Sequence, residues 1–84
     1  MYFVYILKSQ KNGRLYTGST NNLNDRLRRH NAGESKATRH TRPFDLLYYE
    51  SFLSRTEAVR RERCFKTGKG REELAELLVR RIGA

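Results

Sequence analysis

Cysteine is almost absent from this chain. Cys64 stands alone, which excludes an internal disulfide and a thiolate metal cage and makes a reducing setting, the cytoplasm, the expected one. Acidic residues are scarce too: nine Asp and Glu face eighteen Lys and Arg, a formal charge of +9. Such a balance points to a polyanion as partner. Long hydrophobic runs are missing. The apolar segment Tyr2–Leu7 has no basic residue before it and falls far short of the ~20 residues a bilayer span needs, so neither export nor membrane anchoring is expected. Repeats, low-complexity tracts, linkers and a Gly-rich phosphate loop with its Lys are also lacking. His30, His40 and Cys64 do not have the spacing of a metal cage.

What is present suits one compact domain over 1–84. Hydrophobic residues make up 37% of the chain, and five Tyr and four Phe among them are enough for one small core. Arginine supplies thirteen of the eighteen cations, and its planar donor fork suits phosphate oxygens better than an ammonium does. Nucleic acid is therefore favoured over a membrane surface, the more so because Leu23 and Leu27 are needed to cover a sheet.

Tyr2–Lys8 is apolar on both alternating sets, Val4 and Ile6 against Phe3, Tyr5 and Leu7, which predicts a strand covered on both faces. Asn12-Gly13 signals a hairpin into a second strand over Arg14–Ser19, paired antiparallel to the first. Over Asn22–Asn31 the pattern turns helical, with Leu23, Leu27 and His30 on one side, Arg26 flanking it, Thr20 or Asn21 as cap and Gly33 past the end. Glu34–Pro43 reads as an exposed basic loop and Phe44–Leu53 as a third strand. Ser54 and Glu57 have capping-box spacing and open a helix that Gly68 and Gly70 end; Arg71–Ile82 forms a closing helix on Leu74, Leu77, Leu78 and Ile82. The expected class is α/β in the α+β sense: a small three-stranded, mainly antiparallel sheet with helices on both sides, in the order β-β-α-β-α-α.

Glu62 is out of place in this scheme. On the helix from Ser54 to Thr67 it shares an arc with Ala58, Val59, Phe65 and Lys66, near the apolar middle, where a carboxylate calls for a cation. The competing reading puts it at the rim of the stripe, paired with an arginine. Four elements contribute polar groups able to converge: Tyr5, Tyr16, Arg26 with His30, and Glu62. Each also has a plain structural reading, the tyrosines as strand filler, Arg26 as a solvated helix residue and His30 as a half-buried backbone partner. Gly18 lets backbone approach the site or marks a bulge.

As an ordered set these residues resemble the GIY-YIG endonuclease superfamily, in its small single-domain form. Phe3-Val4-Tyr5 stands for the first tripeptide and Tyr16-Thr17-Gly18 for the second. Asn22–Asn31 looks like the helix of the catalytic arginine, and Val59–Lys66 like the segment of the metal-binding glutamate. Phe3 replaces the first glycine, and Ser19 stands where excision-repair members carry a Lys, leaving one phosphate or nucleophile contact open. The resemblance implies a metal-dependent endonuclease that hydrolyses DNA phosphodiester bonds, in DNA repair or recombination, with Tyr5, Tyr16, Arg26, His30 and Glu62 as its catalytic set. Glu62 would hold Mg²⁺ or Mn²⁺ as the sole protein ligand. Arg26 would clamp the phosphate, His30 would orient water or relay a proton, Tyr5 would lie near the water and Tyr16 on phosphate. Arg14, Arg28, Arg29, Lys36, Arg39, Arg42 and Lys66 are the expected nucleic-acid contacts. A protein partner could supply substrate specificity. The alternative is a non-catalytic nucleic-acid-binding module of the same fold.

Overall fold

The computed structural model describes the backbone of residues 1–82 and the side chains of residues 1–80. Strands β1 (Tyr2–Ser9) and β2 (Leu15–Thr20) are followed by helix α1 (Leu23–Asn31), strand β3 (Phe44–Phe52) and helices α2 (Arg55–Phe65) and α3 (Gly68–Ile82). The order is β-β-α-β-α-α and the fold α+β, as expected. Both strand pairs are antiparallel, and β1 lies in the middle of a β2-β1-β3 sheet.

The doubly apolar pattern of β1 follows from that position. Val4 and Ile6 face α2 and α3 and pack with Ala58, Phe65 and Leu74, while Tyr5 and Leu7 face α1 and pack with Phe44, Leu23 and Leu27. The sheet thus divides what was expected as one core into two small ones. At the hairpin, Gly13 takes φ +75°, Ser9 N–H donates to Arg14 O at 2.9 Å, and Asn12 Oδ1 accepts from Arg14 N–H. The cap of α1 is Asn22, whose side chain accepts from Asp25 N–H, and not Thr20 or Asn21. Thr20 Oγ1 instead accepts from Asn22 N–H at 3.1 Å and fixes the chain just before the cap.

Two expectations about connections need correction. The segment Glu34–Pro43 is not wholly exposed: it contains a 3-10 turn at Arg39–Thr41, and Thr38 is buried because its hydroxyl is needed inside. Nor do Gly68 and Gly70 simply end a helix. Helix α2 stops at Phe65 with Lys66 as its cap, and α3 already begins at Gly68. Thr67 joins the two helices, its hydroxyl donating to Cys64 O at 2.7 Å and accepting from Gly70 N–H at 3.0 Å. A Cβ on Gly70 would lie 1.6 Å from Cys64 O, so the helices can meet this closely only over a glycine. Ser54 caps α2 as expected, accepting from Glu57 N–H. The expected core role of Ile82 lies outside the described side chains.

Candidate active site

The register of the hairpin places both tyrosines. Tyr5 pairs with Gly18 and Leu7 with Tyr16, so Tyr5 and Tyr16 project from the same face of the sheet, beneath α1. No bulge interrupts this pair at Gly18; the register shift lies between β1 and β3 at Ile6/Leu7. What Gly18 provides is room, since a Cβ there would come within 2.4 Å of the Tyr5 hydroxyl oxygen. Arg26 and His30 are one turn apart on α1, and His30 reaches into the core at 1% exposure. Its ring lies 5.1 Å from Tyr16 and 5.9 Å from Tyr5, centroid to centroid. His30 Nε2 is 3.0 Å from the Tyr5 hydroxyl and Nδ1 is 2.7 Å from Thr38 Oγ1. Tyr5, His30 and Thr38 therefore form one buried hydrogen-bonded chain.

Burial sets the electrostatics of that chain. The Tyr5 phenol is pushed up to about 12, first by desolvation and then by Tyr16 and Glu62, with Arg26 opposing them. His30 is lowered, by desolvation first and by Arg26 second, so its ring is neutral near pH 7 and can donate from only one nitrogen. The two tyrosines differ in access. Tyr5 is 2% exposed and its hydroxyl is engaged by His30, whereas Tyr16 is half-buried and the more accessible phenol.

Glu62 reaches the same place from the other face of the sheet. Ser19 Oγ, next to Gly18 on the edge strand, donates to Glu62 Oε1 at 2.7 Å, and Lys66 Nζ donates to Oε2 at 2.8 Å. Its carboxyl is held below the usual range: desolvation is the largest influence and pushes upward, and Lys66 and Ser19 outweigh it. The expected seat in the apolar middle of α2 is corrected, because Ala58 and Phe65 hold that middle and Glu62, its side chain 21% exposed, rims it beside β2. Its cation is Lys66, one helical turn on, and not an arginine. Among the described residues no three His, Cys, Asp or Glu side chains cluster as a metal cage. A lone carboxylate that already has an ammonium against one oxygen fits a hard, largely hydrated ion of the Mg²⁺ type and does not fit a closed Zn²⁺ site.

The expected phosphate contacts are spread around this point, and several also serve the fold. Arg28 and Arg29 both pair with Asp25, at 3.1 and 2.9 Å, and Arg28 also with Glu34. Arg39 Nε donates to Gly33 O and Arg42 Nη1 to Ala32 O, which satisfies carbonyls just past the end of α1. Arg14 and Lys36 are exposed on the hairpin and the loop. Arg26 pairs with no carboxylate among the described residues. Sequence reasoning missed three residues that hold the site. Thr38 fixes His30. Asn31 clamps the start of β3, its Oδ1 accepting from Phe44 N–H at 2.7 Å and its amide donating to Phe44 O. Arg61 lies over Phe65 and bonds Glu50 and Glu73, tying α2 to β3 and α3. Their partners are distant in sequence, so no local spacing announces them.

Comparison with known proteins gives the family. Residues 1–74 match the family described as the GIY-YIG catalytic domain. A UPF0213 protein of Staphylococcus haemolyticus is 45% identical over 74 residues, 87% of this chain and 89% of that protein. One from Bacillus pumilus is 45% identical over 67 residues, 79% of this chain and 67% of that protein. The solution NMR structure of a UPF0213 protein from Bacillus halodurans superposes with a TM-score of 0.55 at 36% identity, covering 92% of this chain and 85% of that one. With its two strand tyrosines, its helix arginine and its edge glutamate in the order that the fold requires, the chain belongs to the GIY-YIG nuclease-domain family, among relatives of the UPF0213 type.

Proposed function

We propose that this chain is a metal-dependent endonuclease that hydrolyses phosphodiester bonds in DNA, in a repair or recombination setting. The observation that carries this reading is the meeting at β2 of an Arg26 without a carboxylate partner, a neutral His30 bonded to a phenol, and a lone half-buried Glu62. Family membership supplies nuclease chemistry in general and a general need for a divalent ion. Glu62 would hold that ion, Mg²⁺ or Mn²⁺, which when bound supplies charge neutralisation at the phosphate and a more acidic water.

The remaining work falls to the chain's own groups. Arg26 offers a planar fork to the scissile phosphate and stabilises the charge that builds on its oxygens. In the tautomer that donates from Nδ1 to Thr38, His30 Nε2 accepts from the Tyr5 hydroxyl, whose oxygen is also approached by Arg26 and takes up the water proton. With its acidity suppressed, Tyr5 then passes its own proton to His30 as it takes one up, and no free phenolate is formed. Tyr16, more accessible, contacts phosphate. Ser19 and Lys66 aim the Glu62 carboxylate, and the exposed Lys66 ammonium is also within the basic face offered to phosphate.

Glu62→Gln tests this most directly, because it keeps volume and the Ser19 contact while removing the charge. Purified protein is assayed on single-stranded, duplex and branched DNA with Mn²⁺, Mg²⁺ or chelator. Expected are cleavage by the wild type only with the divalent ion, no cleavage by the variant, and equal or tighter DNA binding by the variant in chelator. Its melting temperature without metal should fall by no more than about 6 °C, since the lost partner is an exposed Lys66 worth at most about 1 kcal/mol. Binding without cleavage by the wild type would mark a binding module on the same fold. A destabilised variant that still cuts would make Glu62 a structural ion-pair partner.

A further inference from the structure

A cleft of about 230 Å³ lies between the start of α1 and the start of α2. Arg26 and Arg55 both line it, together with Tyr2, Ser19, Thr20 and Asn21. Most cations around the site are already paired: Arg28 and Arg29 with Asp25, Arg61 with Glu50 and Glu73, Lys66 with Glu62. The cleft differs from its surroundings in this respect. Among the described residues no carboxylate lines it, and neither Arg26 nor Arg55 forms a salt bridge, Asp25 acting on Arg26 only at longer range. Two guanidinium groups that share one polar hollow repel each other until an anion enters, and their forks suit phosphate oxygens in particular.

From this cleft we infer a second phosphate subsite, in which Arg55 holds the backbone phosphate next to the one that Arg26 engages on the same nucleic-acid strand. The inference rests on the nuclease reading for the role of Arg26, and it names how the substrate strand is tracked. Contiguity comes from Ser19, which lines the cleft and donates to Glu62, so an anion in the cleft lies beside the proposed centre. Asn21 adds an amide able to donate, whereas the Thr20 hydroxyl is committed to Asn22 O. Arg55, at the first turn of α2, is exposed and contributes to neither core cluster, so its substitution leaves packing intact.

The test uses the full chain with a fluorescent oligonucleotide in chelator, comparing Arg55→Ala and Arg55→Lys with Arg63→Ala, an exposed control on the same helix outside the cleft. Arg55→Ala should weaken binding about tenfold near ~0.1 M salt and flatten the salt dependence by about one phosphate contact, with Arg55→Lys in between. A loss no greater than that of Arg63→Ala would overturn the subsite. In Mn²⁺, a single methylphosphonate beside the mapped cut should lower kcat/KM of the wild type and add nothing to the loss of Arg55→Ala; additive losses on both sides of the cut would overturn the placement. Inorganic phosphate competes as a separate arm, and a change in its affinity without a change in oligonucleotide affinity would assign the cleft to a free anion and overturn the strand reading. If the wild type cuts nothing while Arg55→Ala still loses affinity and slope, the nuclease reading fails and the subsite stands.

Discussion

Arg26 makes no salt bridge within its own helix, while Asp25 beside it takes both Arg28 and Arg29. Its replacement should therefore act on the rate. Arg26→Ala is expected to lower kcat by at least ~100-fold, in line with the loss of one transition-state donor, with a much smaller change in DNA affinity in chelator. Arg26→Lys should recover part of the rate, and a variant impaired only in binding would reduce Arg26 to a phosphate anchor. His30 makes a separate prediction through pH. Its protonated form is disfavoured by burial, so the unfolded chain takes up a proton near pH 6.5 that the folded chain refuses. Stability should thus rise with pH through the window just below about 6.5 and be lost as pH falls through it, with no His30 contribution to the slope above it. Denaturant unfolding of the wild type and His30→Gln between pH 5 and 7.5 reads this directly; parallel curves would clear His30 of the effect.

At the scale of elements, the contact between α2 and α3 yields the sharpest contrast with intrinsic propensity. Glycine to alanine inside a helix ordinarily gains up to ~1 kcal/mol. Gly70→Ala should instead cost about 2 kcal/mol or more, because its Cβ would meet Cys64 backbone oxygen, which has no flexible end to move aside. A stabilised variant in chemical denaturation would mean that the two helices separate freely. The same position marks the limit of what the chain discloses on paper. The strands, the hairpin at Asn12-Gly13 and the Ser54 cap were legible because each is written in residues close together in sequence. The start of α3 and the buried Thr38 were not. Gly70 reads as a helix stop unless Cys64 O is known to lie over it, and Thr38 reads as loop surface unless His30 is known to need a partner. The candidate site was legible as a set of residue types in order. Its closed Tyr5 was not, since that depends on how α1 seats His30 against β1, whereas the Glu62–Lys66 pair has a four-residue spacing that the sequence does carry.

For the molecule as a whole, the excess of cations predicts binding that weakens steeply with salt. With ~4 to 6 phosphates contacted, log affinity should fall with log salt at a slope of about −3 to −5. The lower end is expected, because Arg28 and Arg29 are already paired with Asp25. Titrations between low and physiological salt measure it, and a slope near zero would remove the polyanion reading. No described helix is long and apolar enough to cross a membrane. The strand order β2-β1-β3 carries a consequence in time. Central β1 comes first in the chain, yet one of its two neighbours, β3, begins only at Phe44, and the glutamate at the sheet edge comes later still. During synthesis the hairpin and α1 therefore emerge with one flank of β1 unpaired and one of its faces bare, a slow, non-local closure that invites chaperone contact. The arginine helix is made well before Glu62, so on the proposed mechanism a ribosome-bound fragment ending short of residue 62 should cut no DNA.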